Sequence, residues 1–515
     1  EDWGRTLVAI TADHGEELGE RGWVGHTRTL HAEQVDLPLL MRFPGGKRGG
    51  TRVRARLPEY MTEAQRAAWE SYQTDEDVAF YTGDSAGTAA GSGRIQQIRV
   101  TNNAFNVETG GANGSSGLHE SGARTEVIER GGVGAYHGNF AAIFQDEALN
   151  ARNPFANNKP PYYERTINAD ISGPIIQDRL SLNFAVTDNR RENVGTVKAQ
   201  TLDGPFSLGV TRPVVSRSFD TRGVLQLADA HSLHMRLQYG THDSQNENVG
   251  NFSLPERASS TEMGQHMVDL RGVSILSDRT VHDVRFVWRK DRSETIPFSD
   301  ALGIVVKDAF TGGGAQNRSL INGNEYELSN LVYFEGNNLT MRTGFRGWRR
   351  SERSDSKDNF FGEFTFSDLE SYRAGKPLKY RVECCDPLFK MSQTHLVLFS
   401  QNDFRFTPTF TLMLGVRYFM QTDLHDRNNV DPRIGFAYAI GNSTVIRGGV
   451  GIFTNPSNFR QNKTFTYMDG TRLFETQIDN PGWPDPFSAG STRPPTRPQL
   501  DPNLRNSYFF LPQIQ

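Results

Sequence analysis

The feature that most constrains this chain is a period of two that runs through most of its length. In "RLSLNFAV", Leu180, Leu182, Phe184 and Val186 alternate with Arg179, Ser181 and Asn183. In "SLHMRLQY", Leu233, Met235, Leu237 and Tyr239 oppose Ser232, His234, Arg236 and Gln238, and "DVRFVWR" sets Val284, Phe286 and Trp288 against Asp283, Arg285 and Arg289. "TLMLGVRYFM" places Leu412, Leu414, Val416 and Tyr418 on one side. Side chains of a strand point alternately to its two faces, so each segment is a strand with one apolar and one polar face. A soluble sandwich alternates in the same way. Three features favour a membrane barrel: strands approaching the ~10 residues a crossing needs, aromatic residues recurring near strand ends, and short turns alternating with long polar loops. The recurrent aromatics are Tyr136, Tyr162, Tyr163, Trp288, Trp348, Phe360, Phe361 and Tyr418. The turns include "GNS" and "EGNN", and one long loop runs from Thr241 to Thr261.

Composition agrees. Hydrophobic residues make up 36% of the 515, and no run approaches the ~20 apolar residues of a spanning helix. A barrel with a wet interior tolerates that composition, and 50 glycines with 10% aromatic residues suit strands, tight turns and interfacial rings. The net charge of −4 gives no indication of a nucleic-acid partner. The two cysteines, Cys384 and Cys385, are adjacent; they supply neither a disulfide framework nor a cysteine zinc site and read as incidental loop thiols. No basic, apolar leader precedes Glu1, which suggests that this is not the native start of an exported protein.

The first eighty residues have a different texture. "TLVAITA" is a short apolar run without alternation, which suits a parallel strand covered on both faces, and a second run spans Leu37 to Phe43. "YMTEAQRAAWESYQ" switches to a helical period, with Thr62 and Gln65 spaced as a capping box. "TGDSAGTAAGSG" then reads as a linker. The expected organisation is an α/β segment over 1–81, a linker over 82–93, a partial plug over 94–135 and a β-barrel over 136–515. The fold class is mainly β: an antiparallel transmembrane-type barrel, expected to be incomplete, with a small N-terminal α/β part.

The stretch from about residue 94 to the end resembles TonB-dependent outer-membrane receptors of the Oar-like group. "RIQQIRVTNNAFNVETGGANG" is similar to the middle of their plug. "GAYHGNFAAIFQDEALNARNPFANNKPPYYERTINADISGPIIQDRLSLNFAV" is similar to the passage from plug to barrel. "FTFSDLESYRAGKPLKY" resembles a loop of that group, and "PRIGFAY" and "VIRGGVGIF" resemble two of its strands. The resemblance implies outer-membrane localisation, outer-membrane lipid and TonB as partners, and import of a bulky substrate. The coupling box that engages TonB is not found, and far fewer strands are legible than the 22 of such transporters. A barrel that transports nothing and only binds at the surface is the alternative. The polar faces place Arg236, Arg285 and Arg417 toward a lumen, as candidates to meet an anionic ligand.

Residues 1 to about 80 resemble sulfatases of the alkaline-phosphatase superfamily, on "TLVAITADHGEELGERGWVGH" and "DLPLLMRFPGGKRGGTRVRA". The resemblance implies a divalent metal, calcium first, held by Asp13 and His14, with His26 toward a sulfate oxygen and sulfuric or phosphoric ester hydrolysis as the activity. Against activity, no nucleophile motif precedes the Asp-His-Gly. The literal match "SLPER", Ser253 to Arg257, lies on the wrong side of it, and the chain is read as having no catalytic residues.

Overall fold

The computed structural model describes residues 8–11, 17–18, 24–25, 39–42, 95–101, 124–129 and, with short gaps, 132–514. The chain divides into two compact units, Glu1–Trp69 and Glu70–Gln515. In the first, β1 (Val8–Thr11), β2 (Glu17–Leu18), β3 (Val24–Gly25) and β4 (Leu39–Arg42) form two small pairs. β1 pairs with β4 antiparallel, not in the parallel arrangement expected for "TLVAITA". An unalternating apolar run reports burial on both faces and leaves the direction of the partner strand unspecified. Asp13, His14, His26 and the helix expected over "YMTEAQRAAWESYQ" lie outside the described residues.

In the second unit, β5 (Ile95–Thr101) and β6 (Arg124–Glu129) form an antiparallel pair. Then come β7 (His137–Asp146), β8 (Tyr163–Ile176), β9 (Leu180–Thr201), β10 (Gly204–Ala228), β11 (His231–Glu247), β12 (Ser259–Ser277) and β13 (Thr280–Pro297). β14 (Gly303–Val306) and β15 (Phe310–Gly312) precede β16 (Asn317–Glu335) and β17 (Leu339–Asp358). β18 (Glu363–Phe366), helix α1 (Leu369–Arg373) and β19 (Lys379–Cys385) follow. After them come β20 (Leu388–Thr407), β21 (Phe410–Gln421), β22 (Asn429–Ile440), β23 (Thr444–Asn455), β24 (Leu473–Asp479), β25 (Ser491–Arg493) and β26 (Ser507–Ile514).

Fourteen of these strands make one sheet, ordered β26-β23-β22-β21-β20-β17-β16-β13-β12-β11-β10-β9-β8-β7, in which every pairing is antiparallel. Among the described residues β7 and β26 are its free edges. Register carries the alternation across the whole wall. Leu237 faces Thr221 and Val268, Val268 faces Trp288, and Trp288 faces Tyr326. Likewise Leu414 faces Ile434, and Ile434 faces Val450. All four apolar sets read from the sequence fall on this one face. Phe184, Leu237, Leu398 and Ile434 are each more than 36% exposed there, so no second sheet among the described residues covers it. A sandwich would bury them.

The two ends of the wall differ. One end has only short turns, at 177–179, 229–230, 278–279, 336–338, 408–409 and 441–443, whereas the other carries the long connections 147–162, 248–258, 298–316, 359–387 and 456–506, with the shorter 422–428 and the tight 202–203 turn that closes the extended β9–β10 hairpin. Short turns on one side and long loops on the other mark the periplasmic and external sides of an outer-membrane wall. At the short-turn end the N-terminal segment is tied to the first hairpin: Asp178 N donates to Gly132 O, and Gly132 N donates to Ser181 Oγ. Gly132 has φ +78, and a Cβ there would lie 2.0 Å from Arg179 N, so only glycine fits this contact.

Candidate functional site

The polar face is the candidate site, together with the long loops above it. Its charges come in cross-strand pairs. Arg236 Nε donates to Asp220 Oδ2 at 2.6 Å while Arg222 Nε takes Oδ1 at 2.8 Å. Arg285 grips Asp269 with two bonds of 2.9 and 2.6 Å, and Arg346 reaches Glu327 at 3.0 Å. Arg271 is similarly forked onto Asp283. Bidentate arginine–carboxylate pairs hold both side chains in one geometry and neutralise them. Arg236, Arg285 and Arg417 all lie on the polar face. The first two meet around Asp269, which stands opposite Arg236 and bonds Arg285. Arg417 sits apart in β21, opposite Asp431.

Toward β20–β23 the polar face becomes densely packed. Gln393, Gln401, Gln421 and Arg433 are at most 1% exposed. Arg433 lies 4.1 Å over the Phe453 ring, and Asp431 accepts from Thr454 N at 3.0 Å and Thr454 Oγ1 at 2.6 Å. Gln393 and Gln421 donate to Asp423 at 2.6 and 3.0 Å, and Gln421 Oε1 accepts from Ser457 N at 3.2 Å. These bonds fasten the loops after β21 and β23 to the wall. His395 is held between the rings of Trp348, at 4.8 Å, and Phe419, at 5.3 Å. Trp348 therefore departs from the interfacial position expected for it. It neighbours Gly347, which takes the outward position, and strict alternation turns the indole inward. Trp288 and Tyr418 do stand on the apolar face.

Above the wall the long loops build a second sheet of their own, ordered β15-β14-β18-β19-β24-β25. Its β14–β18 pairing is parallel, an exception to the antiparallel expectation. The core of this cap contains Phe364, Phe366, Ile478, Val306 and Phe310, joined by Val197 and Ala199 from the extended β9. Trp483 stands edge-on to Phe364 at 5.0 Å and to Phe366 at 5.3 Å, pinning the last loop to the earlier ones. Asp368 opens α1 with a full capping box to Ser371, and the bonds from Ser371 and Ser367 hold its carboxyl below the usual range.

Within "SLPER", Pro255–Arg257 is a single 3-10 turn, and Arg257 Nη1 donates to Gly314 O at 2.6 Å and Glu363 Oε2 at 3.3 Å. Its arginine is a strut between loops. Cys384 and Cys385 are joined to each other as a vicinal disulfide at the end of β19, which corrects their reading as free thiols. Beside them, burial, then repulsion from Asp358 and Glu475, pushes the Glu383 carboxyl up to about 7. Exposed Phe298, Phe487 and Phe252 give the cap an apolar outer surface. Among the described residues no group of three or more His, Cys, Asp or Glu is placed to hold a metal ion.

Residues 206–429 and 419–512 match the family described as outer membrane beta barrel domain. No curated protein matches the chain. Among solved structures, the outer membrane transporter YddB from Escherichia coli is similar at 11% identity with a TM-score of 0.51, over 75% of this chain and 54% of that one. The siderophore receptor PirA from Pseudomonas aeruginosa aligns at 12% identity and a TM-score of 0.42, over 71% of this chain and 50% of that one. The ferric enterobactin receptor PfeA from Pseudomonas aeruginosa aligns at 12% and 0.45, over 72% and 50%. At such identities the likeness to the transporter concerns the fold alone. The chain spans about half the length of each of these structures.

Proposed function

This chain belongs to the outer membrane beta barrel domain family, and from that premise we propose that it is the wall and external cap of a TonB-dependent importer for a bulky substrate. The observation that carries this is the two-faced sheet. Its apolar side suits lipid, its polar side is lined with fixed charge pairs and buried amides, and a folded cap with exposed aromatic residues stands at the external end. In this reading the cap captures the substrate and the polar face guides its passage. The charge pairs on that face are neutral overall, which suits a path for a large polar solute better than a tight anion site. Within the family, "PRIGFAY" and "VIRGGVGIF" support an Oar-like placement, and the TonB partnership follows the same resemblance.

The second reading, surface binding without transport, is favoured by the cap being a packed unit. The two separate on one experiment. Ligand that copurifies with the protein from its own outer membrane is identified by mass spectrometry and supplied back to cells with and without TonB. Import predicts periplasmic accumulation only with TonB, and capture lost in Phe364→Ala, which opens the cap core. Retention at the surface, unchanged by TonB, would establish the second reading. A hydrolase reading has no support among the described residues, and the residues that would carry it, Asp13 and His14, are tested by metal-dependent aryl sulfate turnover against Asp13→Ala.

A further inference from the structure

The connection from cap to wall carries a device that the import reading does not use. β19 ends on Cys384 and Cys385, which stand opposite Phe474 and Leu473 at the start of β24. The chain then turns at Asp386 and enters β20. That turn is clasped by Arg472, the residue just before β24. Asp386 N donates to the Arg472 carbonyl oxygen at 2.9 Å, and Arg472 Nη2 donates to Asp386 Oδ2 and to Leu388 O, each at 2.9 Å. Leu388 N adds a bond of 3.0 Å to Asp386 Oδ1. Leu473, beside the clasp, is wholly buried. At this corner the last loop joins the strand that leads back to the wall.

Cys385 has φ +100, in the region that residues other than glycine rarely adopt. The other non-glycine residues with positive φ among those described are Asn, Asp or Gln, at +48 to +65. Asn and Asp tolerate that region because their short polar side chains bond locally, which a cysteine does not do. The disulfide supplies the missing constraint. A bond between neighbours closes a small ring through their shared peptide unit, and φ of Cys385 is one of the torsions of that ring. Disulfides between distant residues stabilise by shortening the free chain of the unfolded state, but between adjacent residues almost none is shortened. The effect of this one is therefore local, on the direction in which the chain leaves β19. Cys385 is exposed and Cys384 half-buried, so a reductant reaches the bond from solvent. Exposed disulfides are the labile ones.

We propose that Cys384–Cys385 is a redox latch on the cap, closed when oxidised and released by a small dithiol. The thiolate of the reductant attacks Cys385 Sγ, the S–S bond breaks, and Cys384 leaves as a thiolate that takes up a proton. The second thiol of the reductant then attacks the mixed disulfide. Cys385 leaves in turn and is protonated, and the reductant departs as its cyclic disulfide, so two electrons and two protons have passed to the pair. Without the ring, Cys385 relaxes toward extended backbone, Asp386 swings away from Arg472, and this end of the β19–β24 pairing opens. Disulfides form and persist at cell surfaces, so the latch stays closed there until a reductant is met. The inference rests on the fold of the cap and its external placement, and is independent of whether anything is imported.

The test uses the full chain folded in detergent micelles, with hydrogen exchange read at β19 and β24 before and after dithiothreitol. Reduction should raise the number of iodoacetamide-reactive thiols from none to the two the chain contains. It should also speed exchange over the first residues of β24, from Leu473, by about tenfold, the usual cost of a left-handed residue. Amides of β12 and β13 in the wall should not change. Cys384→Ala/Cys385→Ala should exchange at the fast rate with or without dithiothreitol. Cys384→Ala/Cys385→Gly also lacks the disulfide, yet glycine adopts positive φ readily, so it should stay close to the oxidised rate. Thiols that remain unreactive in the folded protein, exchange unchanged on reduction, or a glycine variant as fast as the alanine one would each overturn the proposal. The first two readouts need only the wild-type chain and decide the matter even where a variant does not fold.

Discussion

Glu383 and Glu475 stand directly opposite each other across β19 and β24, the pairing that joins the last loop of the cap to the earlier ones. With its carboxyl raised from 4.5 to about 7, Glu383 holds its proton longer in the folded cap than in an unfolded one. The unfolded chain therefore releases its proton first, and cap stability falls as pH rises from about 4.5 to about 7, then levels off. The loss is on the order of 1 kcal/mol once solvent screening of this partly exposed carboxylate is allowed for. Glu383→Gln should remove the slope and leave the cap at pH 8 as protected as at pH 5. Hydrogen exchange of β19 and β24 amides, corrected for intrinsic rates, checks this. An unchanged slope in the variant would assign the effect to another group.

At the scale of the strand, adjacent residues have opposite tolerances. Leu237 points outward in the middle of the apolar band and Gln238 inward, one residue later. Leu237→Arg should cost about 2–4 kcal/mol, as charges on the lipid face of barrels do, whereas Gln238→Arg joins a face already furnished with ion pairs and should cost little. Urea unfolding from bilayers distinguishes them, and equal costs would contradict the two-faced wall. This element was legible because a period of two, sustained over many strands, fixes which residues share a face and leaves only one face apolar enough for lipid. The cap was not. Its strands are short, as in Glu363–Phe366, and its partners are distant, as in Gly303–Val306, so tertiary packing chooses the pairing and no local pattern announces it. Trp348 was misplaced for a related reason: proximity to a strand end was weighed above parity. Charged outward positions obey the same parity, and "FAVTDNR" already shows Phe184 and Val186 followed on one face by Asp188 and Arg190. The aromatic-flanked His395 carries no sequence signal, because its neighbours arrive from two other strands.

For the whole molecule, an apolar face across fourteen strands, with free edges at β7 and β26 among the described residues, cannot be hidden in water. Expressed by itself the chain should partition into detergent or inclusion bodies, and a monodisperse monomer in plain buffer, seen by light scattering, would refute that. The cap adds a consequence in time. Most wall strands pair across a short turn, with β13–β16, β17–β20 and β23–β26 as exceptions, but β19 must wait for β24, and β14 for β18, each closing a still longer stretch of chain before any bond repays it. The wall should therefore form first and the cap close last. Pulse-labelled exchange would find wall amides protected before those of Tyr380 and Ile478. Capture at the external end then becomes a late event in the life of each molecule: a nascent wall stands in the membrane before it has anything with which to hold a substrate.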